Sequence, residues 1–215
     1  MTVPRYRRTE SPLLNKASSL FVRSGVWLIR LRFTLLFLVV MIAANSMAGV
    51  LDGELPSEVL EDWGIGQESV WAGDLARLLT GTFLSHDLDM LLRQFVFASA
   101  IIGYTEWRSG SGRTALAFFG LDISSTLLLL TTVWLHPSLA DVTGLNDVGM
   151  SMGGFGLVGL AIAGLRRRIA ILVLVSLGIA AKIAIDFEPL TDTGHVIALG
   201  LGFLVGLFLH RGQRD

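Results

Sequence analysis

Six apolar stretches, at roughly 33–51, 90–105, 114–135, 149–165, 169–185 and 193–209, leave this 215-residue chain few choices other than helices in a bilayer. A helix needs about 20 residues to cross about 30 Å of hydrocarbon. Each stretch is near that length, the second being the shortest. Charged residues make up 16% of the chain, against about 25% in a soluble domain, which argues against a water-soluble fold. The sequence therefore reads as an all-α polytopic membrane protein. Residues 1–32 form a basic N-terminal segment, and 33–210 form one six-helix membrane domain.

The distribution of charge sets the expected topology. Of the 17 Lys and Arg, all but Arg77, Arg93 and Lys182 fall in segments that share one side when the spans alternate. The acids, among them Asp52, Glu54, Glu61, Asp147, Glu188 and Asp192, gather on the other. Positive residues stay on the cytoplasmic side, so both termini are expected there, and only an even number of spans allows it. The small size, this pattern and the lack of a sorting signal point to a bacterial plasma membrane. The net charge of −1 carries no signal for a nucleic-acid partner, and the absence of cysteine excludes a thiol nucleophile.

Outside the spans, residues 1–20 are polar and basic and suit an anionic membrane surface. Phe21–Arg32 mixes apolar and basic residues and reads as a basic flank, with an interfacial helix as the alternative. The outer loop at about 52–89 is long for a membrane connection, which favours internal structure or function. Its Trp63 and Trp71 suit the interface.

The stretch DVGMSMGGFG, Asp147–Gly156, places Ser151 at the start of the fourth span. That span ends at Arg166–Arg168, which belong at the inner surface. Ser151 to Leu165 is about 22 Å of helix, so the serine lies several Å inside the outer boundary of a layer about 30 Å thick. The polar chain before it, His136–Asp147, must descend to that depth, and non-helical backbone there has to line protein or a watery cavity. Free N–H groups at the helix start would favour an oxyanion.

A serine hydroxyl needs a base. His86 and His136 read as loop residues and His210 as an inner-surface residue. His195, in the first turn of the last span, stands at the depth expected of Ser151, and ionisable residues inside a membrane are functional candidates. Gly194, Ala198, Gly202 and Gly206 form a row of small residues on the sixth span. Gly153, Gly156, Gly159 and Gly164 supply small residues on the fourth, and such rows let backbones approach closely. The alternative is that these glycines only pack and that Ser151 bonds its own backbone.

With these features in place, the sequence resembles the rhomboid intramembrane serine proteases. The resemblance rests on Gly149-Met150-Ser151 opening the fourth of six helices, and on His195 followed by Ala198 and Gly202. It also rests on Ala76–Gln94, where Arg77, Thr80, Phe83 and Leu84 match without a gap, and on the polar turn Glu106–Arg113. It covers about residues 76–210. Met152 stands where the family has glycine, and Ala76 where it has tryptophan. The resemblance implies a catalytic dyad of Ser151 and His195, with Phe155 packed against the histidine. It places the oxyanion region at Gly149, Met90 and Gln94. Met90 occupies the position of the family's oxyanion histidine and cannot donate a hydrogen bond, whereas Gln94 can.

The implied activity is cleavage of transmembrane protein substrates near their outer end, with the site open to the outer side and no metal or organic cofactor. Two rivals stand beside it. One is an inactive rhomboid-like protein that binds transmembrane clients. The other is a transporter using Arg93, Asp122 and Lys182 within the spans, against which there is no repeat of one half in the other. On the structural reading, Arg93 pairs with Asp122, Lys182 snorkels and Asp192 is a solvated loop acid.

Overall fold

The computed structural model describes residues 30–136 and 144–211. The greater part of the basic N-terminal segment, including nearly all of the interfacial stretch Phe21–Arg32, lies outside the described residues. So do positions 137–143 of the loop before Ser151. The protein is mostly helical. Helix α1 spans Arg32–Met47, and three short helices follow: α2 (Ser57–Trp63), α3 (Gln67–Trp71) and α4 (Arg77–Thr80). The longer helices are α5 (Leu88–Ser109), α6 (Ser111–Leu135), α7 (Ser151–Ala163), α8 (Arg168–Ile185) and α9 (Pro189–Arg211).

Three of these, α6, α8 and α9, are long and apolar enough to cross a membrane. Helices α1 and α7 are apolar but shorter, at 16 and 13 residues. The second apolar stretch is longer than its hydropathy suggests. Asp87 caps the start of α5 by accepting the Met90 N–H, and Gly110, at φ 84°, ends it in the left-handed region. Polar end turns carrying Asp89 and Arg108 therefore belong to the helix although they break the apolar run.

The core gathers Phe37 and Met41 of α1, Ile102 of α5, Phe118 of α6, and Met150 and Leu157 at and within α7, all buried. Polar residues pin α1 at both ends. The buried Glu106 of α5 accepts the N–H groups of Phe33 and Thr34 at 2.8 Å, satisfying donors that the first turn of α1 leaves free. Asn45 donates to the Phe83 carbonyl and accepts the Ser85 N–H.

Helices α7 and α9 meet along a seam of glycines. A Cβ on Gly202 would lie 2.7 Å from the Gly156 carbonyl carbon, and one on Gly159 would lie 2.6 Å from the Phe203 nitrogen. Backbone thus rests on backbone. The seam matches the row read on the sixth span, and the row on the fourth only in part. An added Cβ on Gly153 or Gly156 would meet Phe118 or Leu121 of α6, whereas Gly164 faces the His210 ring near the end of α9. Helix α8 buries none of its residues and lies at the periphery.

The long loop at 52–89 has its own structure, as its length suggested. Its strand β1, Ile65–Gly66, pairs antiparallel with β2, Asn146–Asp147, in the segment leading to Ser151. Val50, Leu55, Leu84 and Val148 form a small core beneath it.

Candidate active site

Ser151 is the first residue of α7, and the segment before it is fastened from three directions. The Gly149 N–H donates to the Gly81 carbonyl at 2.8 Å. Asp147 holds His86, Nε2 to Oδ1 at 3.0 Å. Asp122 of α6 accepts the Gly153 N–H at 2.7 Å through one oxygen and the Thr82 hydroxyl at 2.8 Å through the other. A carboxylate from a different helix therefore caps the start of α7. Asp122 lies about 20 Å along α6 from Leu135 at 1.5 Å per residue. The serine-bearing end of α7 is thus sunk to near the middle of α6.

Gly149 has φ 130°, a conformation open to glycine, and it lies against α5. A Cβ there would be 2.6 Å from Gln94 Nε2 and 3.0 Å from Met90 Cε. The fold therefore brings together Gly149, Met90 and Gln94. Gln94 is buried; its Oε1 accepts the Ser85 hydroxyl at 3.0 Å, while its Nε2 is buried with no partner. The Met90 sulfur accepts the His86 N–H at 3.3 Å and has no hydrogen to donate.

His195 stands in the second turn of α9, at the same end of the seam as Ser151. Phe155, one turn along α7 from the serine, stacks on its ring at 4.3 Å between centroids, with 27° between planes. Met152 fills the space over Gly194, where a Cβ would lie 2.7 Å from its sulfur. The methionine directly after the serine therefore fits because its neighbour on α9 is glycine. His195 Nε2 is buried and unpartnered. No hydrogen bond joins Ser151 to His195 among the described residues.

A cavity of about 40 Å³ reaches Ser151 and Gly149, with Gln67, Thr126, Asp147 and Thr191 as its polar walls. It has room for a few waters. Gln67 Oε1 is also buried without a partner. Among the described residues, no group of three His, Asp or Glu side chains is placed to hold a metal ion.

Two sequence readings change. Arg93 does not pair with Asp122: it bonds Asp89, one turn away on the exposed face of α5, leaving Asp122 to cap α7. Asp192 is not a solvated loop acid. It is 1% exposed, pairs with Lys182 at 3.0 Å and accepts the Glu188 N–H that precedes α9. His86 does lie in a loop, but it is engaged. Its bond to Asp147 raises its pKa above the ordinary imidazole value, against the opposing effect of burial. The structural weight of Asp122, Thr82 and Ser85 was missed. The one available signal was an acid in the middle of an apolar stretch.

No protein-family model matches the chain, and no curated protein matches it in sequence.

Proposed function

We propose that this protein is a rhomboid-type intramembrane serine protease that cleaves transmembrane proteins near their outer end. One observation carries the reading. Two buried side-chain nitrogens without partners, His195 Nε2 and Gln94 Nε2, lie against the residues that flank Ser151. A buried polar group left unpaired costs stability, so such groups gather where a reaction needs them.

In the proposed reaction, His195 Nε2 meets the Ser151 hydroxyl and takes its proton. Oγ then attacks a peptide carbonyl of the substrate. The Ser151 N–H, at the free start of α7, and the Gln94 amide donate to the oxyanion. His195 returns the proton to the leaving amine. A water entering from the cavity then gives its proton to His195 and attacks the acyl carbonyl; as the acyl–Oγ bond breaks, His195 returns that proton to Oγ, freeing the acid and restoring Ser151. Met90 supplies no second side-chain donor, and one missing donor typically lowers rate by about 10²–10³.

In this reading α1 and α5–α9 all cross a bacterial plasma membrane, with both termini cytoplasmic and the cavity facing outward. The short α7 fits this reading because the described approach to it, residues 144–150, is fastened to the 52–89 loop and allows a start below the outer surface. Buried backbone and water are what such a descent requires.

A second reading, a client-binding protein without catalysis, draws on the open Ser151–His195 pair and on Met90. Labelling of the purified protein by a fluorophosphonate separates the two. The protease reading expects wild type to label and Ser151→Ala and His195→Ala not to. Folded wild-type protein that fails to label favours client binding.

A further inference from the structure

Cations at the two ends of the helices differ in how they are neutralised. Arg77 pairs with Asp74, Arg93 with Asp89, and Lys182 with Glu188 and Asp192. Among the described residues, no other Arg or Lys has a carboxylate partner. Four of these arginines lie where α1 begins and α5 turns into α6; of them Arg108 lies over the Tyr104 ring at 5.9 Å, one turn back on α5. Arg32 Nε donates to the Ser111 hydroxyl at 3.1 Å, and Arg108 and Arg113 flank Ser111 in sequence. The Arg30 guanidinium lies 4.7 Å over the ring of Trp107, the residue before Arg108. All four are exposed.

The one acid nearby, Glu106, forms no direct ion pair with them and reaches Arg32 only through the Ser111 hydroxyl. It is 1% exposed, and its oxygens accept the Phe33 and Thr34 N–H groups and the hydroxyls of Thr34 and Ser111. Four positive charges therefore share this corner with the single, buried negative charge of Glu106. Stacking on Trp107 engages the face of the Arg30 guanidinium and leaves its in-plane donors free for a phosphate. Beside this polar turn stand Tyr104, 43% exposed, and Leu116, one turn beyond Arg113 and 78% exposed. Phosphate at the arginines with hydrocarbon along Leu116 is the pattern of a phospholipid.

We propose that Arg30, Arg32, Arg108 and Arg113 form a binding site for the phosphate headgroup of an anionic phospholipid. The site needs the protein to sit in a bilayer but is independent of the protease chemistry. Each arginine near an anionic surface contributes about fivefold in affinity.

The test is the melting temperature of Ser151→Ala protein in phosphatidylcholine bicelles titrated with phosphatidylglycerol. The Ser151→Ala background keeps the result apart from any catalytic activity. Saturable stabilisation by phosphatidylglycerol is expected, and Arg108→Gln/Arg113→Gln should weaken its apparent affinity about thirtyfold. Neither side chain bonds another helix, so this variant should fold. Arg93→Gln, at an already paired cation, should leave the affinity unchanged. The proposal is overturned if extra phosphatidylcholine stabilises equally, or if the double variant binds as wild type does. It is also overturned if inorganic phosphate alone reproduces the shift, which would mark a free-anion site.

Discussion

Replacing Gly202 by alanine should separate the two helices that carry Ser151 and His195. The new Cβ would lie 2.7 Å from the Gly156 carbonyl carbon and closer still to its oxygen. Non-bonded heavy atoms pack best at about 3.5–4.0 Å, and the contact to oxygen is the limiting one, so α7 and α9 must move apart by more than about 1 Å. Both partners are backbone, and no rotamer change relieves the clash. The cost belongs at the upper end of overpacking, about 3 kcal/mol. Alanine's better helix propensity returns up to about 1 kcal/mol, leaving a net loss of about 2 kcal/mol. For a chain of this size, that lowers the melting temperature by roughly 4–8 °C. Gly200, two residues earlier, has nothing within 4 Å of an added Cβ. Gly200→Ala should therefore melt at or above the wild-type temperature. Thermal unfolding in detergent, with both variants alongside wild type, reads the contrast directly. A Gly202→Ala protein that melts no lower than Gly200→Ala would refute the close-packed seam.

Other perturbations probe the fastenings of the site. Asp122→Ala strands the Gly153 N–H and should cost about 1.5–3 kcal/mol, whereas Asp122→Asn keeps an acceptor there and should cost less; equal melting temperatures would remove the capping role. The His86–Asp147 bond raises the His86 pKa, so its stabilisation is complete below the ordinary imidazole value near 6.5 and is lost as pH rises through the raised one. Because both groups are about 40% exposed, the effect is below about 1 kcal/mol, read as a fall in wild-type melting temperature between pH 5.5 and 8.5 relative to Asp147→Asn. If the two proteins change in parallel, the pair contributes nothing. Gln94→Leu should slow fluorophosphonate labelling of Ser151 by about 10²-fold while the protein stays folded; an unchanged rate would take Gln94 out of the oxyanion site.

The sequence by itself determined the helical class, the approximate positions of the long helices, and the placement of a serine and a histidine at the starts of two of them. These follow from local quantities: runs of apolar residues, the spacing of small residues, and charges that interrupt both. Its errors lie where the decisive partner is far away in the chain. Asp122 and Arg93 looked complementary in an apolar setting, yet helix packing delivers the Gly153 N–H to Asp122, and Arg93 turns to its own helix. Asp192 looked solvated because it follows a polar loop, yet Lys182 and the start of α9 enclose it. Only the tertiary structure set Gly149 against Gln94 and Met152 over Gly194. Each of those contacts joins two helix ends whose approach is decided by packing of the whole bundle, and no local pattern records it.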